Sequence, residues 1–131
     1  MTMKELQKLV NDQGYITNID DDGDIQFKVQ GRHLFASVDK DDSSFVSIFT
    51  IFCIVPEGSQ TDIDAYRAAT KVESTLKCLS CIFLGTDDDG FNFRAAVECF
   101  TGGKNLAEHI GRYIEIVSLS GQRVLSALNG I

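Results

Sequence analysis

The stretch Asn18–Val29, N-I-D-D-D-G-D-I-Q-F-K-V, carries several possible metal ligands close together. A calcium loop of the EF-hand type needs oxygen ligands at its first, third and fifth positions, Gly at the sixth and a bidentate Glu at the twelfth. The first half fits, but the twelfth position is Val29, which has no side-chain oxygen. The residues after Gly23 also alternate as a β-strand does, where an EF-hand needs a helix.

A β-hairpin turn explains every residue of the same stretch. Aspartates tolerate turn conformations, and Gly23 supplies the positive φ that a tight turn requires. The acidic run recurs at Thr86–Gly90, T-D-D-D-G, without the spacing of a calcium loop. Two hairpin turns are therefore the prediction. A small-ligand or divalent-ion sensor that uses Asn18–Asp24 stays open as the alternative.

The sequence C-L-S-C at Cys78–Cys81 matches a C-x-x-C motif. Redox motifs of this kind lower a thiol pKa at a helix N-terminus, whereas this one falls where a helix is predicted to end and a strand to begin. A zinc site needs a second pair of ligands. The other possible ligands lie singly: Cys53, Cys99, His33 and His109. We therefore expect buried structural thiols in a reducing compartment.

Catalytic chemistry has little support in the sequence. A nucleophile needs a base within hydrogen-bond reach, and neither His33 nor His109 lies beside a recognisable nucleophile motif. The aspartates are concentrated in predicted turns, where their role is conformational. We expect a non-enzymatic protein with no catalytic residue, no cofactor and no metal site.

Composition narrows the classes of partner. The 131 residues carry a formal net charge of -7, and 44% of them are hydrophobic. That length suits a single domain, 1–131, with its own core. Nucleic acid and anionic membranes attract clustered Lys and Arg. The sequence has no such cluster, so we expect neither of them as a partner. The first residues do not form a signal peptide, and no apolar run approaches the roughly 20 residues that span a bilayer, so we expect a cytoplasmic protein.

Periodicity predicts three helices and six strands. Thr2 and Glu5 form a capping-box pattern for a first helix that reaches Gly14. A third helix covers about Asn105–Leu128, after the breaker Thr101–Gly103. The predicted strands are Tyr15–Ile19, Asp24–Val29, Arg32–Val38, Phe45–Val55, about Cys81–Gly85 and Phe91–Cys99.

The second helix follows Pro56–Gln60 and is capped by Thr61 or Asp62. Its expected buried stripe is Ile63, Tyr66, Ala69, Val72 and Leu76, and the small residues Ala65, Ala68 and Ala69 should let it lie close to the sheet. Runs of strands separated by helices indicate an α+β fold, with an antiparallel sheet (meander plus hairpin) packed against three helices in the order α-ββββ-α-ββ-α.

Two stretches are richer in apolar residues than one sheet-facing surface requires. The strand Phe45–Val55 is apolar on both faces, which predicts a central strand or one covered on both sides. The last helix has apolar residues beside its main stripe. A possible interaction surface therefore consists of Phe49, Ile51, Ile116, Leu119 and Leu125.

The run from Gly14 through Val38 contains D-D-D-G-D-I-Q-F-K-V-Q-G-R-H-L-F-A-S-V and resembles the YbjN-like family. Members of that family have a helix, a Gly-Tyr pair, an Asp-Gly turn, an alternating strand and a Gly-Arg turn in this order. The segment Ala65–Val97 is similar to the family's second helix and D-x-D-G hairpin. It departs from the family at Thr70 and Glu73, where Asn is often found.

The resemblance implies a fold like that of type III secretion chaperones and a bacterial role in sensory transduction or regulation. We expect a protein-binding or regulatory module that acts through sheet and helix surfaces. Its partner would be another protein, or the chain itself as a homodimer. A chaperone for a secreted effector is a further form of the same hypothesis.

Overall fold

The computed structural model describes residues 1–102 and 104–130. Gly103, the end of the predicted breaker, lies outside them. The helices and strands are, in chain order, α1 (Met3–Asp12), β1 (Thr17–Ile19), β2 (Ile25–Val29), β3 (Arg32–Val38), β4 (Phe45–Ile54), α2 (Asp62–Thr75), β5 (Leu79–Asp87), β6 (Gly90–Phe100) and α3 (Asn105–Asn129). The predicted α+β fold and element order are confirmed.

The strands form one antiparallel sheet in the order β1-β2-β3-β4-β6-β5. The first four make the meander, and the β5–β6 hairpin joins it through β6. In the pairing register, Ala36 lies opposite Ile48, Ile48 opposite Val97, and Val97 opposite Leu79. All four are buried, so one face of the sheet is apolar across its width.

All three helices pack on this buried face. α1 lies against β3, α2 against β5, and α3 crosses β4 and β6. Side chains from both layers form the core, and its largest fully buried members are Phe27, Phe93, Leu6, Ile25, Leu34, Ile48, Leu106, Ile110, Ile114 and Leu128. None of the helices among the described residues has the length and hydropathy of a membrane span.

Local signals place the helix starts correctly. The Thr2 hydroxyl accepts from the Glu5 N–H at 3.1 Å, and the Thr2 N–H donates to the Glu5 carboxylate. At the start of α2, the Thr61 N–H donates to the Asp64 carboxylate at 2.9 Å. These bonds satisfy backbone donors that a helix N-terminus leaves unpaired.

The predicted stripe of α2 is partly wrong. Ile63 is 61% exposed and Tyr66 is also exposed, whereas Ala65, Ala68 and Ala69 are buried with Val72. Small side chains let the helix lie close to β5, and the contact surface is therefore rotated away from the large residues. The periodicity was compatible with both faces, and close packing selected the alanines.

Candidate interaction surface

The face of the sheet opposite the helices is open and carries many apolar side chains. Because side chains alternate along a strand, the residues next to the buried ones point to this side. The open face, as we use the term, comprises the outward-pointing side chains of β3, β4, β5 and β6, and its main apolar members are Phe35, Phe45, Phe49, Ile51, Ile82, Leu84 and Phe100. β4 is thus central, as predicted, but helices cover only one of its faces.

Aromatic and aliphatic side chains on the open face lie in rows across neighbouring strands. Phe35 lies opposite Phe49, and their rings stack with centroids 5.3 Å apart. Phe45 lies opposite Phe100, and these rings meet edge to face at 5.2 Å. Ile82 is 47% exposed, and Ile51 and Leu84 are exposed as well. The patch is therefore continuous over four strands.

Arg94 lies near the middle of this patch, between Ile51 on β4 and Ile82 on β5. Its guanidinium carbon is 4.8 Å from the centroid of the Phe49 ring, which is a cation–π contact. It also donates to the Ser47 hydroxyl at 3.3 Å and lies 3.6 Å from the Glu98 carboxylate. These contacts hold a cation against an otherwise apolar surface.

The five residues proposed from sequence are divided between two surfaces. Phe49 and Ile51 lie on the open face. On α3, Ile116 packs against the core and Leu119 is half-buried. Leu125 is 42% exposed, and it lines a cavity together with Ile51. Of the five residues, the structure therefore brings together only Ile51 of β4 and Leu125 of α3.

Outside β4, the sequence prediction missed five residues of the open face: Phe35, Arg94, Ile82, Leu84 and Phe100. A signal for two of them was present, because C-I-F-L at Cys81–Leu84 is apolar at successive positions. A strand with that pattern has apolar side chains on both faces. Arg94 has no such signal, since its place beside Phe49 depends on the pairing of β4 with β6.

The acidic turns use their first carboxylate to hold their own backbone. Asp20 accepts from the N–H groups of Asp22 and Asp24 at 3.0 and 2.9 Å. Asp87 accepts from Asp89 and Gly90 at 2.8 and 3.2 Å.

The β1–β2 and β5–β6 hairpins are as predicted, with Gly23 at φ 84° and Gly90 at φ 137°. The N–H of Asp89, together with the Asn92 side chain, lowers the pKa of Asp87. Within residues 1–102 and 104–130, no three His, Cys, Asp or Glu side chains form a group that could hold a metal ion.

The prediction of four buried thiols is wrong for two of them. Cys53 and Cys78 are exposed, Cys81 is buried and Cys99 is half-buried. The C-x-x-C motif spans the start of β5, shortly after the end of α2, as expected. Burial and the Glu73 carboxylate raise the pKa of Cys81 to about 11, which is opposite to the shift that activates a redox thiol.

Solved structures of other proteins share this fold. The chain superposes on the crystal structure of YbjN from E. coli, a proposed transcription regulator, with a TM-score of 0.68 and 9% identity, covering 92% of this chain and 88% of that one. The fold is YbjN-like. An uncharacterized protein from Methanothermobacter thermautotrophicus matches with a TM-score of 0.70 and 11% identity, over 99% of this chain and 98% of that one.

The YbjN-like fold expected from the sequence is therefore confirmed, while the likeness to type III secretion chaperones stays a prediction. At these identities the similarity concerns the fold and does not transfer residue roles. No protein-family model matches the chain. No curated protein matches it either.

Proposed function

We propose that this YbjN-like domain is a non-enzymatic regulatory module that binds another protein through the open face of its sheet. The observation that carries the proposal is the continuous apolar patch around Phe49, which lies opposite the helical layer. Contiguous apolar patches of this kind on a soluble domain mark interaction sites. The description of YbjN as a proposed transcription regulator supports a regulatory role.

The composition of the open face suits protein recognition. Aromatic residues and Arg are enriched at the centres of protein–protein interfaces, where they supply most of the binding energy. Here the Phe35–Phe49 stack and Arg94 form the centre. Because Arg94 already contacts Phe49 and Ser47, little side-chain entropy remains to be lost when a partner covers it.

Charge at the border of the patch favours a basic partner. A depression on the open face, lined by Phe45, Phe49 and Arg94, is bordered by acidic side chains. They are Asp22, Asp24, Asp39, Asp41 and Glu98, and they outnumber the basic lining residues Lys40 and Arg94. With a net charge of -7, the domain attracts positively charged proteins and repels nucleic acid and anionic membranes. A second copy of the chain is the other protein that could cover the patch.

The divalent-ion sensor is less well supported. The Asp20 carboxylate accepts two backbone N–H groups of its own turn. A cation bound there would compete with these bonds, and Val29 supplies no closing ligand.

Capture from native cytoplasm with matched variants tests the proposal. Ile82→Asp places a charge in the open face, while Ile63→Asp makes the same change on α2; both residues are exposed, so both variants should fold. We expect wild type and Ile63→Asp to retain the same partner and Ile82→Asp to lose it, as measured by cross-linking and mass spectrometry. Retention by Ile82→Asp would contradict the proposal. Sedimentation of the purified proteins shows whether the partner is a second copy.

A further inference from the structure

The pairing of β3 with β4 stops before either strand does. Their register ends at Phe35 opposite Phe49, although β3 begins at Arg32 and β4 continues to Ile54. Continued pairing would place His33 opposite Ile51. Instead, the His33 carbonyl accepts from the Thr50 hydroxyl at 2.9 Å. The second half of β4 therefore has a gap on the side where its neighbour would lie.

Main-chain groups of Ile51 and Cys53 face this gap. The Asp39 N–H donates to the Phe45 carbonyl across the β3–β4 pair, and the Thr101 N–H donates to the Ser44 carbonyl on the β6 side. Since successive residues of a strand direct their N–H and C=O groups to opposite edges, odd-numbered residues of β4 face β3. Ile51 and Cys53 follow the same alternation beyond the end of the pairing.

A cavity of about 430 Å³ occupies the gap, between the start of β3, the end of β4 and α3. The Arg32 guanidinium donates to the Ser118 carbonyl of α3 at 3.3 Å and forms one wall. Gly121 leaves space on the α3 side of the cavity, because a Cβ there would lie 3.0 Å from Arg32 Nη1. Leu125 supplies an apolar wall.

The outer strands of the sheet offer poorer edges. On β5, the outward N–H of Cys81 donates to the Glu73 carboxylate at 2.7 Å. A register shift between Phe83 and Gly85 interrupts the same strand. Such carboxylates and bulges protect an edge from pairing with another chain. β1 is only 3 residues long, so it offers only a short edge to another strand.

We propose that the gap binds an extended segment of a partner protein, which pairs antiparallel with Ile51–Cys53 as a short added strand. Regularly spaced main-chain donors and acceptors are matched by another polypeptide. A slender segment fits, whereas the edge of a second copy lies recessed behind its own Arg32 and Leu125. The inference rests on the proposed protein-binding function and specifies the form of the partner.

The walls indicate the side chains of that segment. Residues that point to the helix side meet Leu125 and should be apolar. On the open side, the turn Asp87–Gly90 reaches Cys53 from the β6 edge of β4, since a Cβ on Gly90 would lie 3.2 Å from Cys53 Sγ. Asp87 and Asp89 belong to this turn and favour Lys or Arg. Alternating apolar and basic residues are therefore the expected pattern.

A capped peptide of alternating Val and Lys, six residues long, tests the inference on the full chain labelled for NMR. We expect the amide signals of Ile51 and Cys53 to shift most. In an antiparallel pair, residues that exchange hydrogen bonds have side chains on the same face, so the Lys amides pair with the edge. N-methylation of the Lys amides should weaken binding at least tenfold, and N-methylation of the Val amides less than twofold.

Two protein variants provide the reciprocal test. Cys53→Pro removes the N–H that faces the gap, while Cys53→Ala retains it, and only the proline should weaken peptide binding tenfold or more. Equal binding of both N-methylated peptides would overturn the inference even if the proline variant failed to fold. So would a dimer that is lost in Cys53→Pro when the peptide does not bind. If the peptide fails but Ile82→Asp still loses its partner, the edge assignment is wrong and the proposed function stands.

Discussion

The two faces of the sheet are built by the same strands and differ in what covers them. On β6, Phe93 points to the helices and is 0% exposed, while Phe100 points the other way and is 66% exposed. The covered face packs against α1, α2 and α3 and forms the core. The open face has similar residue types, but no helix among the described residues packs across it. Apolar side chains there contribute less to folding and are available for binding.

The open face itself has a centre held by side-chain contacts and a more exposed border. Phe49 is held by Phe35 on one side and by Arg94 above it. Ile82 and Leu84 lie on the outer strand β5 and are more exposed. A partner would therefore contact a preorganised aromatic centre surrounded by more exposed aliphatic side chains.

The largest effect is expected from one substitution repeated on both faces. Phe93→Ala should lower the free energy of unfolding by about 3–5 kcal/mol, because it removes a fully buried ring and leaves a cavity. Phe100→Ala, on the same strand, should cost about 1 kcal/mol or less, since its ring is mostly in water and loses mainly its contact with Phe45. Urea unfolding of both variants measures the difference. Similar losses would show that the open face is part of the core.

A smaller effect is expected where the covered face meets the β3–β4 gap. Thr50 is buried, and its hydroxyl donates to the His33 carbonyl. Thr50→Val keeps the shape but removes the donor, and should cost about 1 kcal/mol in urea unfolding. Thr70→Val is the control, because the exposed Thr70 hydroxyl bonds only to the Tyr66 carbonyl of its own helix. Its change should stay within about 0.5 kcal/mol, and equal costs would remove any special role for Thr50.

The smallest effect concerns thiols on the two faces. Cys53 is exposed and Cys81 buried, so iodoacetamide at pH 8 should modify Cys53 well before Cys81, as followed by peptide mass spectrometry. Burial, and next the carboxylates of Asp87 and Asp89, also raise the pKa of Cys53. The pKa of Cys81 is raised to about 11, so burial of its sulfur and its low thiolate fraction both slow its reaction. Alkylation of Cys81 at the rate of Cys53 would contradict its burial.

The Cys81 thiol should make the free energy of unfolding depend on pH. The folded pKa of Cys81, about 11, lies above its ordinary value of 9.0, so folding favours the protonated thiol. Its contribution is complete below pH 9.0 and declines as the pH rises towards about 11. Urea midpoints at pH 8 and pH 10.5 should therefore differ more for wild type than for Cys81→Ala. An equal fall in both would assign the decline to other groups.

Local chemistry predicted much of the fold because its causes lie within a few residues. The D-D-D-G turns formed hairpins, with Asp20 and Asp87 bonded to the backbone beside them. The Thr2 capping box started α1. By contrast, the stripe of α2 depended on which face could approach β5, and Ile63 and Tyr66 were placed wrongly. The candidate site was found only in part, through Phe49 and Ile51.

The sequence by itself determined the elements, their order, and the alternation that gives each strand two faces. Tertiary structure alone decided that all three helices lie on one face, that β6 inserts beside β4, and that β3 leaves β4 after Phe49. The physical reason is the distance along the chain over which each interaction acts. Turn geometry and side-chain period are set by neighbours in the chain, whereas the covering of a face depends on packing between residues far apart in sequence. The open face and the gap beside Ile51 therefore became visible only in the folded chain.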